Sequence, residues 1–328
     1  MAQDLSEPGP DEFPVFFGTN RRVDTTGAQP IFTDERDEKL NLGRCLVRVP
    51  EKHKFGSVGS SVWVRAIRGE DRLTLTSAQI LSGDAFAAAL HHKLGDAKQL
   101  ESSLLYIHGY NNTFEQAAIR AAQIGVDLMI SGVTAAFSWP SRGTVRDYKA
   151  DEATIDASET SLEEFIRKLL DIDSMKRLNI IAHSMGNRAM LRVAQRLPRA
   201  MKNRIGQIIL AAPDVDAQLF RQLAIAYRKL AKRTTLYVSN KDRAVGLSAY
   251  ISDYDRAGYA PPVTLVDGID TIEVSQIDLS ILGHGYFAEA HPILHDMLEL
   301  IRHGTIPDER ARLKRRLVDQ KCYWQFAS

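Results

Sequence analysis

A mostly parallel, doubly wound α/β sheet with antiparallel strands at its N-terminal side is the fold class that this 328-residue sequence predicts. Three observations predict it. Beyond residue 100, short apolar runs recur with helical patterns between them, as in parallel strands joined by crossover helices. One of those runs ends in a small-flanked serine turn that opens a helix. Finally, 44% hydrophobic and 25% charged residues match an ordinary globular chain with material for a sizeable core.

The elements follow in order. Residues 1–40, rich in Pro, Gly, Asp and Glu with one apolar cluster at 13–17, predict an N-terminal arm with a short strand. Cys45–Pro50 and Ser61–Ile67 alternate apolar and polar residues and predict strands. These would add antiparallel strands to the sheet edge. Asp84 is placed to cap a helix carrying Phe86 and Leu90 that meets Gly95 at its end. Then come the runs Leu104–Ile107, Val133–Phe137, Leu178–Ile181, Gln207–Ala212, Thr235–Val238 and Thr271–Val274. Between the second and third, Leu162, Phe165, Ile166, Leu169 and Leu170 keep helical spacing, and Ser161 with Glu164 suggests a capping box. The single α/β domain is expected over residues 41–304. A basic tail over 305–328 is read as a solvated terminal helix with Tyr323, Trp324 and Phe326 docking on the body.

Charge and cysteine content narrow the function classes. The sum of 42 Lys and Arg against 41 Asp and Glu leaves +1, so bulk electrostatics favour no nucleic-acid partner. No apolar run approaches the roughly 18 residues of a membrane span. The acidic opening, Met1 to Gly18, does not read as a secretory leader, so a cytoplasmic protein is expected. Cys45 and Cys322, near opposite ends, have neither a disulfide-framework nor a metal-ligand spacing and are expected to be reduced thiols.

The chemistry converges on Ser184. In Leu178-Asn-Ile-Ile-Ala-His-Ser-Met-Gly-Asn-Arg-Ala-Met-Leu191, a buried strand turns at the serine into a helix, and Ala182 and Gly186 keep the crowded positions on either side small. That is the context of a nucleophile elbow, in which a strained turn projects the hydroxyl. The helix start makes the Met185 amide a natural oxyanion donor. A second donor is expected from the loop after an earlier strand, where Gly109 in His108-Gly109-Tyr110 permits a sharp turn and leaves the Tyr110 amide above the serine. His183 adjoins the serine, but successive side chains at such a turn point apart.

A serine nucleophile needs a base and an orienting carboxylate. His53, His91, His92 and His303 read as surface groups, whereas His291 and His295 belong to a helix with an apolar face. His284, in the Gly-flanked loop Leu279-Ser-Ile-Leu-Gly-His-Gly-Tyr-Phe287, is left as the base. Asp242, after the strand Thr235–Val238, is the expected acid, and Asp214, one strand earlier, is the alternative.

Several blocks together resemble a bacterial family of α/β hydrolases called domain of unknown function 900, within the serine esterase and lipase superfamily. They are Val15-Phe-Phe-Gly-Thr-Asn-Arg21, Ile107-His-Gly-Tyr-Asn111, Phe137-Ser-Trp-Pro-Ser141 followed by Tyr148 and Asp151, Ala182-His-Ser-Met-Gly186, Ser239-Asn-Lys-Asp-Arg243 and Gly283-His-Gly-Tyr-Phe287. The resemblance covers about Pro14 to Gly304. It implies a hydrolase fold with Ser184, Asp242 and His284 at the triad positions, and it supplies no substrate. The expected activity is hydrolysis of a small carboxylic ester through an acyl-enzyme, with no metal or organic cofactor required. A thioesterase, amidase or lactonase on the same triad, or a non-catalytic binding module, is the alternative. Ala217 to Arg233 holds one crossover helix and no large cap, while Ser141 to Ala157 and Arg243 to Pro262 read as loops that shape the pocket. Oligomeric state is not legible.

Overall fold

The computed structural model describes residues 7–59, 70–95, 102–142, 147–239, 254–274 and 291–327. Its strands are β1 (Glu12–Asp24), β2 (Ile31–Arg48), β3 (Thr74–Leu81), β4 (Ser102–Ile107), β5 (Thr134–Ser138), β6 (Arg177–His183), β7 (Ile205–Ala211), β8 (Arg233–Val238), β9 (Asp270–Glu273), β10 (Leu313–Val318) and β11 (Lys321–Phe326). They form one sheet in the order β10-β11-β9-β8-β7-β6-β4-β5-β1-β2-β3. All neighbours from β1 to β11 across the centre run parallel. The β1–β2, β2–β3 and β10–β11 pairs are antiparallel. The α/β class and the antiparallel N-terminal strands are therefore as expected.

The central strands read as unbroken apolar runs because both of their faces are covered. Phe16, Leu105, Ile107, Phe137, Ile180 and Ala182 belong to one core, with helices α1 (Gly83–Gly95), α4 (Glu159–Leu170) and α5 (Gly186–Arg196). Their alternates Val15, Phe17, Leu104, Tyr106, Ala136 and Ile181 belong to the other core, with α2 (Phe114–Asp127) and the C-terminal helix (His291–His303). In α4, Leu162, Phe165, Ile166 and Leu169 are fully buried, each contributing about 1.5–3 kcal/mol of hydrophobic burial.

Several expectations are corrected. The described residues of the expected arm do not form a short strand: β1 is 13 residues long and lies inside the sheet, between β2 and β5. Nor is the tail a helix. Residues 313–326 form a hairpin that extends the sheet past β9, with Trp324 and Phe326 buried. Asp319 and Gln320 both take positive φ, 49° and 62°, as the two-residue turn of a twisted hairpin requires. The loop expected after residue 141 contains α3 (Tyr148–Ala157), with Tyr148 and Asp151 buried. At the start of α1 it is Ser82, not Asp84, whose hydroxyl accepts an amide, that of Ala85 at 3.2 Å. Ser161 lies inside α4, and a capping box occurs instead on α2, between Thr113 and Gln116. The strand expected at 61–67 lies outside the described residues.

Candidate active site

The loops after three neighbouring strands, β4, β6 and β7, carry residues at positive φ: Asn111 at 59°, Ser184 at 48° and Ala212 at 43°. Such conformations cost side-chain-bearing residues free energy and cluster at functional sites. Ser184 bridges the end of β6 and the start of α5, the strand-turn-helix of a nucleophile elbow. Its residue is 2% exposed, and its Oγ has no hydrogen-bond partner among the described residues.

Close packing explains the small residues around the turn. A Cβ on Gly186 would stand 2.6 Å from the His108 carbonyl oxygen, and one on Gly109 would stand 2.9 Å from Cβ of Ser184. The elbow and the loop after β4 are thus pressed together, which places Tyr110 and Met185 on the two backbones flanking the serine. Asn187, which sequence reasoning passed over, holds the turn: its Nδ2 donates to the carbonyls of Ala182 at 2.9 Å and Ser184 at 3.1 Å. The Ser184 amide donates to Ala211 O at 2.9 Å.

The loop after β4 is equally tied down. Asn112 Nδ2 donates to Tyr110 O at 2.8 Å, Trp139 Nε1 donates to His108 O at 2.9 Å, and the Trp139 ring stacks on His108 at 5.1 Å. His108 is fully buried; burial first, and then the Arg21 cation, push its pKa down to about 3, so the ring is neutral at physiological pH. Beneath it Arg21, 1% exposed, donates from Nε to Ser138 Oγ at 3.0 Å. It also donates from Nη1 to Thr33 O and Ser141 O, both at 3.1 Å, and from Nη2 to Asn112 O at 2.8 Å. Burial lowers Arg21 to about 9, opposed by the charges of Asp151 and Asp34, so it stays cationic at neutral pH. Asp151 accepts from Ser141 Oγ at 2.5 Å and from the Arg142 amide at 3.0 Å. Burial nevertheless raises its pKa above the usual carboxylate range.

Asp214 lies at the elbow as well: its amide donates to Ser184 O at 3.2 Å. The carboxylate accepts a hydrogen bond from Tyr148 OH at 2.6 Å and forms an ion pair with Arg256 Nε at 3.4 Å. Arg256 is delivered by a strap that runs back along residues 213–217, joined by Ala257 N to Val215 O and Gly258 N to Pro213 O. A cavity of about 290 Å³ opens beside it, lined by Arg188, Leu191, Val215, Asp216, Tyr254 and Arg256 among others. Asp242 and His284 lie outside the described residues.

Of the other histidines, His91, His92 and His303 are exposed as expected. His53 is not a surface group: its Nε2 meets the buried Asp127 at 2.8 Å. His295 is exposed on its helix, with its ring stacked on Phe55 at 4.6 Å.

A parallel sheet wound on both sides, with a serine elbow at its carboxyl end, defines an α/β hydrolase fold. The chain belongs to the family of α/β hydrolases of unknown function designated DUF900, whose model matches residues 83–303. No curated protein matches the chain. Among solved structures it is similar to an uncharacterized protein from Bacillus cereus, at 14% identity and a TM-score of 0.41 over 64% of this chain and 62% of that one. The chain thus spans less than two thirds of that relative. It is also similar to mouse α/β hydrolase domain-containing protein 10, at 14% identity and TM-score 0.36 over 62% and 90% of the two chains. The carboxylesterase CesB from Bacillus subtilis is similar at 10% identity and TM-score 0.35, over 64% and 86%. At these values the family match, rather than any of the three structures, carries the assignment.

Proposed function

We propose that the protein is a serine hydrolase that cleaves small carboxylic esters through an acyl-enzyme. The observation that carries this reading is Ser184 itself, a buried hydroxyl with no hydrogen-bond partner among the described residues, held at positive φ between a strand and a helix N-terminus. In the proposed reaction Ser184 Oγ attacks the ester carbonyl while His284 takes its proton. The amides of Tyr110 and Met185 receive the tetrahedral oxyanion, and the protonated His284 then returns its proton to the leaving alcohol. Water activated by the same imidazole releases the acid and regenerates the serine.

Asp242 is the proposed orienting acid. Supporting it over Asp214 is the prior commitment of the Asp214 carboxylate to Tyr148 and Arg256, which leaves it a role in fixing the strap at the elbow. A cytoplasmic setting is part of this proposal; Cys45 and Cys322 are both free thiols, and burial pushes the Cys45 thiol up to about 12. No described helix is long and apolar enough to cross a membrane.

The test is turnover of p-nitrophenyl esters across acyl lengths, together with labelling by a fluorophosphonate probe. Wild type is expected to label and turn over, and Ser184→Ala to lose both. Labelling that persists in Ser184→Ala would overturn the nucleophile assignment. A folded wild type that neither labels nor turns over would leave a binding module as the reading.

A further inference from the structure

The contacts around His108 order into a donor chain, beside a further backbone contact from Trp139. A carbonyl oxygen only accepts, so the 2.7 Å contact between His108 Nδ1 and Gly109 O places the ring hydrogen on Nδ1. Nε2 of the neutral ring is then an acceptor, and it faces Ser138 Oγ at 3.5 Å. Ser138 Oγ already receives a hydrogen from Arg21 Nε, and a guanidinium never accepts, so the serine hydrogen is free to turn to Nε2. The order runs from Arg21 to Ser138 to His108 to Gly109 O.

Gly109 O and the Tyr110 amide belong to one peptide unit. In a planar trans peptide they point in opposite directions, so a hydrogen bond that anchors the carbonyl also fixes where the amide aims. It polarises the same unit and strengthens the amide as a donor. We propose that Arg21 and Ser138 are positioning residues that reinforce the Nδ1–H tautomer of His108 set by Gly109 O and hold its ring in place, and that His108 thereby aims the Tyr110 amide at the oxyanion. This rests on the proposed hydrolase reading. Arg21 suits the task because it also grips both neighbouring loops, at Asn112 O after β4 and at Ser141 O after β5.

The test is a double-mutant cycle on p-nitrophenyl acetate hydrolysis. Ser138→Ala in the wild-type background should lower kcat by about tenfold with KM nearly unchanged, a fraction of the loss from deleting an oxyanion donor. His108→Asn retains an N–H for Gly109 O but has no tautomer to choose, so Ser138→Ala should cost less than about twofold in that background. An equal cost in both backgrounds would show a merely structural Ser138 and overturn the proposal. Should a variant fail to fold, ring-nitrogen NMR of wild type labelled with ¹⁵N-histidine reads the tautomer directly. A hydrogen on Nδ1 of His108 supports the proposal and one on Nε2 overturns it. Wild type without turnover or labelling instead defeats the hydrolase reading and takes the proposed role with it, whichever tautomer is seen.

Discussion

Arg21 and Arg310 are the two most deeply buried arginines among the described residues, and their surroundings differ. Arg21, beside the elbow, donates to one hydroxyl and three backbone carbonyls, with no carboxylate at ion-pair distance among the described residues. Arg310, near the C-terminal hairpin, meets Asp296 at 2.8 Å and Tyr237 OH at 3.5 Å, while its Nε and Nη2 have no hydrogen-bond partner among the described residues. One cation gathers the backbones of loops that frame the serine. The other closes an ion pair that ties the C-terminal helix to β8 and the last hairpin. The difference teaches that a buried charge can serve geometry or attachment, and that its partners say which.

Replacement by methionine should separate the two roles. Arg21→Met leaves its acceptors unsatisfied and the loops after β4 and β5 untethered, and kcat on p-nitrophenyl acetate is expected to fall by about 10²-fold, approaching the loss of an oxyanion donor. Arg310→Met should leave kcat per folded molecule within about twofold while costing about 3–5 kcal/mol in urea unfolding, because Asp296 is left buried and unpaired. A loss of kcat in Arg310→Met equal to that in Arg21→Met would break the comparison.

Rescue sharpens it. Adding Asp296→Leu and Tyr237→Phe to Arg310→Met replaces the whole buried cluster with apolar groups, and stability is expected to return to within about 2 kcal/mol of wild type. No equivalent rescue exists for Arg21, because backbone carbonyls cannot be substituted away.

A smaller effect is expected on pH dependence. His108 has a folded pKa of about 3 against an ordinary 6.5, so between those values the unfolded chain binds a proton that the folded chain refuses. Its contribution to stability is therefore present above about pH 6.5 and lost as pH falls toward 3. Of the groups around it, Arg21 and His183 oppose the proton. Asp151, linked through Arg21 and raised by burial, acts in the opposite sense and gains stability on protonation. Urea midpoints at pH 7 and pH 4.5 should therefore drop less in His108→Gln than in wild type. An equal drop would place the ring's titration elsewhere. The smallest effect is expected at the exposed Arg22–Glu35 pair, where Glu35→Ala should shift stability by less than about 0.5 kcal/mol and leave kcat unchanged.

Legibility followed local pattern. The elbow could be read because its requirements lie within a dozen consecutive residues: an apolar strand, small neighbours, a helix. β1 was read too short because its second half carries Thr19, Asn20 and Arg21, which are buried for polar contacts rather than for burial of apolar surface. A search for apolar runs passes over such residues. The tail misled for a different reason. Lys314, Arg315 and Arg316 resemble a solvated helix, yet they lie on an edge strand, where charge discourages pairing with another chain. Its turn, Asp319-Gln320, lacks the glycine that marks most such hairpins.

By itself, the sequence determined the strand and helix alternation of the central sheet and the strained turn at Ser184, since periodicity and steric crowding act over a few neighbouring residues. Only the tertiary structure decided that Asp214 is held by Tyr148 and Arg256, and that Arg21 lies under the loops after β4 and β5. Those contacts join residues 66 and 117 positions apart for the Asp214–Tyr148 and Arg21–Ser138 bonds. No local pattern encodes them, because hydrogen-bond partners so distant in sequence are chosen by the order in which the strands assemble.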